Sequence, residues 1–80
     1  MYYVYVLKSF ESGKYYKGYT GNLERRLNEH FGGRCQTTKT MGSLRLVFVQ
    51  MCEKREEAIE LEKYLKSGYG REIIHELFNN

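Results

Sequence analysis

The segment Tyr2–Lys8 constrains the fold most strongly, because it is rich in β-branched and aromatic residues and is apolar on both faces. A strand with two apolar faces is expected at the centre of a sheet. A polar connection that contains Gly13 leads to a second aromatic segment, Lys14–Tyr19. The chain has no proline and must make its turns with glycine. Residues 2–19 are therefore predicted to form a β-hairpin.

The remainder of the chain predicts three helices and a third strand. Asn22 is a good N-cap, and Leu23, Leu27 and Phe31 follow at spacings of four as one apolar stripe. Gly32-Gly33 is predicted to end this helix. The later elements are a loop at 34–43, a strand at 44–51, a helix at 53–66, a break at 67–70 and a short amphipathic helix at 71–78. The order ββαβαα predicts one α+β domain over residues 1–80, with helices packed against a small antiparallel sheet.

Charge and cysteine usage limit the class of protein. The net charge of +3 and pI near 8.9 permit contact with phosphate but do not establish it. Cys35 and Cys52 are predicted to be free thiols in a reducing compartment, because two cysteines form neither a zinc site nor a disulfide scaffold. The sequence shows no signal peptide and no apolar stretch of membrane-spanning length, so we expect a soluble cytoplasmic protein with no membrane partner.

Two groups of polar residues are candidates for chemistry. Tyr5 on the first strand and Tyr16 on the second could lie close together on one face of the hairpin, although cross-strand aromatic pairs usually serve packing. Arg26 and His30 are four residues apart, and hence share one face of the first helix beside its apolar stripe. Spacing alone favours a solvated helix face for this second pair.

Glu62 is the sharpest anomaly in the sequence. It lies four residues after Ala58 and three before Leu65, within or beside the apolar stripe of the second long helix. A carboxylate there needs a partner, because unpaired burial is costly. The partner could be Lys66, an arginine or a divalent metal.

These residues follow the order and spacing of a known family. Tyr3-Val4-Tyr5 is similar to the first motif of the GIY-YIG nucleases, and Tyr16-Lys17-Gly18 resembles the second. The run from Tyr16 to His30 resembles the family's second strand and first helix, and Glu62 resembles its metal-binding glutamate. The chain resembles most closely the stand-alone, single-domain members related to the nuclease module of nucleotide-excision repair.

The resemblance implies a three-stranded antiparallel sheet flanked by helices, and hydrolysis of DNA phosphodiesters with one Mg²⁺ or Mn²⁺ ion. It implies Tyr5 as general base, Tyr16 as the residue that orients water or phosphate, and Arg26 as the group that neutralises transition-state charge. His30 would bind phosphate or assist proton transfer, and Glu62 would hold the metal.

The substrate and the strength of catalysis are less closely defined. The candidate nucleic-acid contacts are basic residues, namely Lys14, Lys17, Arg25, Arg34 and Lys39, with Lys8 and Arg45 as further candidates. RNA stays open as a substrate, and a protein partner could supply sequence specificity. The alternative is a nucleic-acid-binding module with little or no activity. The chain departs from the family pattern at Tyr3, where the motif has glycine, and at Lys17, where it has an apolar residue. Many family members also carry an asparagine beyond the glutamate helix that helps to position the site, and this chain has no asparagine there until Asn79.

Overall fold

The computed structural model describes residues 1–36 and 38–78. Asn79, the first asparagine after the glutamate helix, lies outside them. The structural elements follow the predicted order: β1 (Tyr2–Ser9), β2 (Tyr15–Thr20), α1 (Leu23–Phe31), β3 (Leu44–Cys52), α2 (Arg55–Lys66) and α3 (Gly68–Phe78). No helix within the described residues is long and apolar enough to cross a membrane.

The three strands form one antiparallel sheet in the order β2-β1-β3, which confirms the central position predicted for the first strand. Gly13, with a φ of 72°, provides the left-handed residue in the β1–β2 connection. The pairing of β1 with β3 is interrupted between Val6 and Leu7, where Val47 has no partner across the strands.

The main hydrophobic core lies on one face of this sheet. Val4 and Val6 of β1 pack there against Ala58 and Leu65 of α2 and Ile74 of α3. Because side chains alternate along a strand, Tyr5 points to the opposite face. Helices α2 and α3 therefore cover one face, and the other is left for Tyr5 and the residues around it.

Two predictions about the helices require correction. The stretch after α2 is not a four-residue break: only Ser67 interrupts the helices, and α3 begins at Gly68. A side chain at Gly70 would collide with the backbone of Tyr64 and Leu65, so the missing Cβ lets α3 start directly against the end of α2.

The apolar stripe of α1 is also different from the prediction. Leu23 and Leu27 are half-buried, but Phe31 is 51% exposed and His30 is the buried residue of the helix. His30 faces inward because both of its ring nitrogens find hydrogen-bond partners there. The N-terminus of the helix is as predicted, since the Asn22 side chain accepts a hydrogen bond from the Arg25 backbone N–H at 3.1 Å.

Candidate active site

Tyr5 is the centre of the face opposite the main core. The side chain is 1% exposed, and its strand partner across the hairpin is Gly18 of β2. A Cβ at position 18 would lie 2.7 Å from the Tyr5 hydroxyl oxygen and 2.9 Å from the ring carbon that carries it. Glycine is therefore required here because the phenol lies directly over the backbone of β2.

His30 links Tyr5 to the loop that follows α1. Its Nε2 lies 2.8 Å from the Tyr5 hydroxyl, and its Nδ1 lies 2.8 Å from the hydroxyl of Thr38. His30 and Thr38 are each 2% exposed. Burial, and then the charge of Arg26, lower the pKa of His30, so the ring is neutral at pH 7.

Tyr16 and Arg26 complete the group. The Tyr16 ring lies 4.8 Å from the His30 ring and 6.2 Å from the Tyr5 ring, measured between centroids. Arg26 donates a hydrogen bond of 2.9 Å to Glu29, which is the main reason that the pKa of Arg26 is raised. The neighbouring phenols of Tyr5 and Tyr16 raise this pKa further. We call Tyr5, Tyr16, Arg26 and His30 together the tyrosine pocket.

Two effects in the tyrosine pocket act on the pKa of Tyr5 in opposite directions. Burial raises the pKa of the phenol to about 12, and the Arg26 guanidinium partly offsets this effect. A cation or a further hydrogen-bond donor at the hydroxyl would favour the phenolate, which is the form that can accept a proton.

Glu62 is not in contact with the tyrosine pocket in the described part of the chain. Its Oε1 accepts from Lys66 Nζ at 3.2 Å, which is one of the partners predicted for it. The glutamate side chain is 19% exposed and belongs to α2, on the sheet face opposite Tyr5. Burial lowers the pKa of Lys17 on β2, and the nearby charges of Arg71 and Lys66 lower it further. Because Lys66 is close enough to act on Lys17, this turn of α2 lies beside β2, the edge strand that also carries Tyr16.

A divalent metal fits Glu62 only as an ion held mostly by water. No group of three or more His, Cys, Asp or Glu side chains among residues 1–36 and 38–78 is arranged to hold a metal. Mg²⁺ commonly uses one or two carboxylates and keeps several waters, so one glutamate suffices as the protein ligand. Glu62 Oε2 has no hydrogen-bond partner among these residues and is available for such an ion.

The predicted nucleic-acid contacts lie on separate surfaces. Arg25 and Arg34 line a cleft of about 390 Å³ along α1, and Lys39 is exposed in the following loop. Lys14 and Lys17 line a cleft of about 730 Å³ between β2 and α3.

A further basic residue, Arg71, lines the β2–α3 cleft, whereas Lys8 is engaged inside the fold. Lys8 is almost buried and its Nζ donates to the Phe78 carbonyl at 2.7 Å. Lys8 is therefore unsuited to bind phosphate.

Comparison with known proteins decides the family. A sequence model described as the GIY-YIG catalytic domain matches residues 1–74. The chain belongs to the GIY-YIG family. Among GIY-YIG relatives, a UPF0213 protein of Clostridium perfringens is 37% identical over 67 residues, which cover 82% of this chain and 71% of that protein. A UPF0213 protein of Listeria welshimeri is 40% identical over 63 residues, covering 78% and 69%.

A solved structure supports the same assignment. The solution NMR structure of a UPF0213 protein from Bacillus halodurans matches with a TM-score of 0.58 and 33% identity, and the match covers 98% of this chain and 86% of that one. The three-stranded GIY-YIG fold of order ββαβαα is thereby confirmed, and membership of the family supports a nuclease role.

Sequence reasoning did not identify Thr38 as a partner of His30. It lies in a loop with other threonines and no periodic pattern, so only the folded chain reveals its position. Gly18 entered the sequence analysis only as part of the motif Tyr16-Lys17-Gly18, and the structure supplies the physical reason for a glycine there, which is the close approach of Tyr5.

Proposed function

We propose that this GIY-YIG protein is a divalent-metal-dependent endonuclease that hydrolyses phosphodiester bonds of DNA, including branched or damaged DNA during repair. The observation that carries the proposal is the convergence of two phenols, a guanidinium and an imidazole in the tyrosine pocket. A general base and a fixed cation beside it are the groups that hydrolysis of an anionic phosphodiester requires.

Each residue of the tyrosine pocket has a role suited to its surroundings. The Tyr5 hydroxyl oxygen takes a proton from the attacking water, and Tyr16 orients that water or the scissile phosphate. Arg26 holds the phosphate oxygens with its planar fork and remains charged throughout. His30 contacts Tyr5 and assists the movement of its proton.

Glu62 is proposed as the protein ligand of one Mg²⁺ or Mn²⁺ ion. When bound, such an ion supplies positive charge where negative charge develops and lowers the pKa of a water molecule. The position of Glu62 beside β2 supports this assignment, since β2 also carries Tyr16. Lys66 must share or release the carboxylate when the ion binds.

The exposed basic residues support a nucleic-acid substrate. Lys14 directly precedes β2 and Lys17 lies within it, where both line the cleft between β2 and α3. Arg25, Arg34 and Lys39 lie on or after α1. We propose that they contact the phosphate backbone, and that specificity for a sequence comes from a protein partner. RNA is the other substrate to be tested. Cys35 and Cys52 are free, which favours a reducing compartment such as the cytoplasm.

The test is nicking of supercoiled DNA in the presence of Mg²⁺ or Mn²⁺. We expect the wild type to nick, Glu62→Gln to be inactive with DNA binding largely retained, and Glu60→Gln to behave as wild type. Glu60 is the matched control, because it is an exposed carboxylate on the same helix. Equal activity of Glu62→Gln and wild type would remove Glu62 from the reaction.

The second candidate is a nucleic-acid-binding module without useful activity. The ion pair between Glu62 and Lys66 favours it, because it neutralises the carboxylate without a metal. This reading is supported if wild type and Glu62→Gln are equally inert on duplex, single-stranded and branched DNA and on RNA, yet both bind nucleic acid.

A further inference from the structure

The cleft between β2 and α3 gathers cations on the sheet face opposite Tyr5. Lys17 pairs across the strands with the core residue Val6, so its side chain lies on the face that α2 and α3 cover. Arg71 lines the same cleft from the first turn of α3, and Lys14 lines it from just before β2. The cleft volume of about 730 Å³ is within the range of ligand-binding clefts.

Carboxylates do not balance the positive charge of this cleft. Within the described residues, Lys14, Lys17 and Arg71 form no ion pair. Glu72 also lines the cleft, but it is exposed and lies beyond ion-pair distance of all three cations. Glu62, on the neighbouring turn of α2, is paired within its own helix. The cleft therefore carries an excess of positive charge.

Lys17 shows that this arrangement is unfavourable without an anion. Burial lowers the pKa of Lys17, and the charges of Arg71 and then Lys66 lower it further. An anion beside Lys17 and Arg71 would offset the repulsion between the two cations. A phosphate group suits this place, because guanidinium and ammonium groups form short, charge-assisted hydrogen bonds with its oxygens.

We propose that Lys17 and Arg71 together hold one backbone phosphate of a nucleic-acid strand in the β2–α3 cleft, away from the scissile bond. This inference rests on the proposed function and gives the path of the substrate. Because β2 is an edge strand, a nucleic-acid strand can pass around it, from Tyr16 on one face to Lys17 on the other. The α2 turn that carries Glu62 lies beside the same strand, so the proposed metal ligand and this phosphate site are neighbours.

A second basic cleft favours a strand over a free phosphate ion as the ligand. Arg25 and Arg34 line that cleft along α1, the helix that also carries Arg26 and His30 of the tyrosine pocket. A polymer with phosphates at regular intervals can occupy both clefts at once and gains from each contact. A single phosphate ion occupies only one of them.

The first experiment measures binding of a single-stranded oligonucleotide at several salt concentrations, without divalent metal so that nothing is cleaved. The logarithm of the binding constant falls with the logarithm of salt concentration, with a slope of about 0.7 for each phosphate contacted on a single strand. We expect the double variant Lys17→Gln/Arg71→Gln to lose about 0.7 of this slope, the value of one phosphate. Lys63→Gln, which changes an exposed lysine of α2 outside the cleft, should keep the wild-type slope. An unchanged slope in the double variant overturns the proposal, and a loss of twice the expected size shows that the two cations do not share one phosphate.

NMR titration of ¹³C-labelled lysine side chains locates the contact. The pKa of Lys17 should rise when the oligonucleotide binds, because a phosphate beside the ammonium favours its charged form. In free Arg71→Gln it should rise as well, since the variant removes a repelling charge. No rise in either case overturns the proposal. A rise with inorganic phosphate but none with the oligonucleotide identifies a site for a free anion and overturns the assignment to a strand.

Failure of this site and failure of the nuclease proposal give different results. If the wild type cleaves nothing while the salt slope and the Lys17 titration respond as expected, the nuclease proposal fails and the phosphate site stands. If the wild type nicks DNA while neither measurement responds, the phosphate site fails and the nuclease proposal stands.

Discussion

The substitution Gly18→Ala tests whether Tyr5 must lie over the β2 backbone. The new methyl carbon would be 2.7 Å from the Tyr5 hydroxyl oxygen, whereas ordinary contacts begin at 3.4 Å. The ring has little room to yield, because Tyr5 is buried and its hydroxyl is bound to His30. Overpacking of a buried site costs about 1–3 kcal/mol, from which about 0.5–1 kcal/mol is recovered because alanine loses less backbone entropy than glycine.

The effect on cleavage should exceed the effect on folding. Displacement of a catalytic group by about 1 Å can cost about a hundredfold in rate, and a smaller displacement costs less. We therefore expect Gly18→Ala to stay folded at 25 °C and to lose about ten- to hundredfold in kcat. Urea denaturation measures the stability change, and plasmid nicking measures the rate.

A double-mutant cycle with Tyr5→Phe identifies the clashing atom. Tyr5→Phe removes the hydroxyl that the methyl group meets first, so the stability cost of Gly18→Ala should be smaller in that background. Gly13→Ala is not a control, because Gly13 has a positive φ that strains any other residue. If Gly18→Ala costs the same in both backgrounds and leaves wild-type cleavage intact, the close approach of Tyr5 is not what requires glycine.

Two further predictions concern the same pocket. Because folding raises the Tyr5 pKa from 10.0 to about 12, the folded state binds the phenolic proton more tightly. The wild type should therefore lose roughly 2–3 kcal/mol of stability between pH 10 and 12 that Tyr5→Phe does not lose, as measured by urea denaturation. Arg26→Lys should lose most cleavage while it still binds DNA, since a point charge does not replace the two-pronged guanidinium; near-normal turnover would remove Arg26 from the mechanism.

Much of the fold was predictable because local patterns and the final packing agree. The two-sided apolar character of Tyr2–Lys8 correctly indicated the central strand, and Asn22 correctly indicated the start of α1. The break predicted at 67–70 was wrong, because the tight contact at Gly70 that lets α3 begin so early is a tertiary feature. A glycine in the sequence does not show whether a helix ends there or whether another helix packs closely against that position.

The candidate site was predictable in part. Tyr5, Tyr16, Arg26 and His30 were proposed from motif order, and the structure brings them together. Spacing on α1 favoured a solvated face for His30, yet it is buried, since partners from β1 and the loop satisfy both nitrogens. Glu62 was recognised as anomalous, and its side chain is paired with Lys66. Its role as a metal ligand stays a prediction.

The location of the bound cation tests the account most directly. Paramagnetic Mn²⁺ broadens NMR signals of nuclei close to it, so a titration of ¹⁵N-labelled protein reports where the ion binds. The account predicts that signals from the Glu62 turn of α2 and from Tyr16 on β2 broaden together, and that Glu62→Gln abolishes both effects. Broadening at Glu62 that never reaches Tyr16, or none in this region, would contradict a metal site that serves the tyrosine pocket.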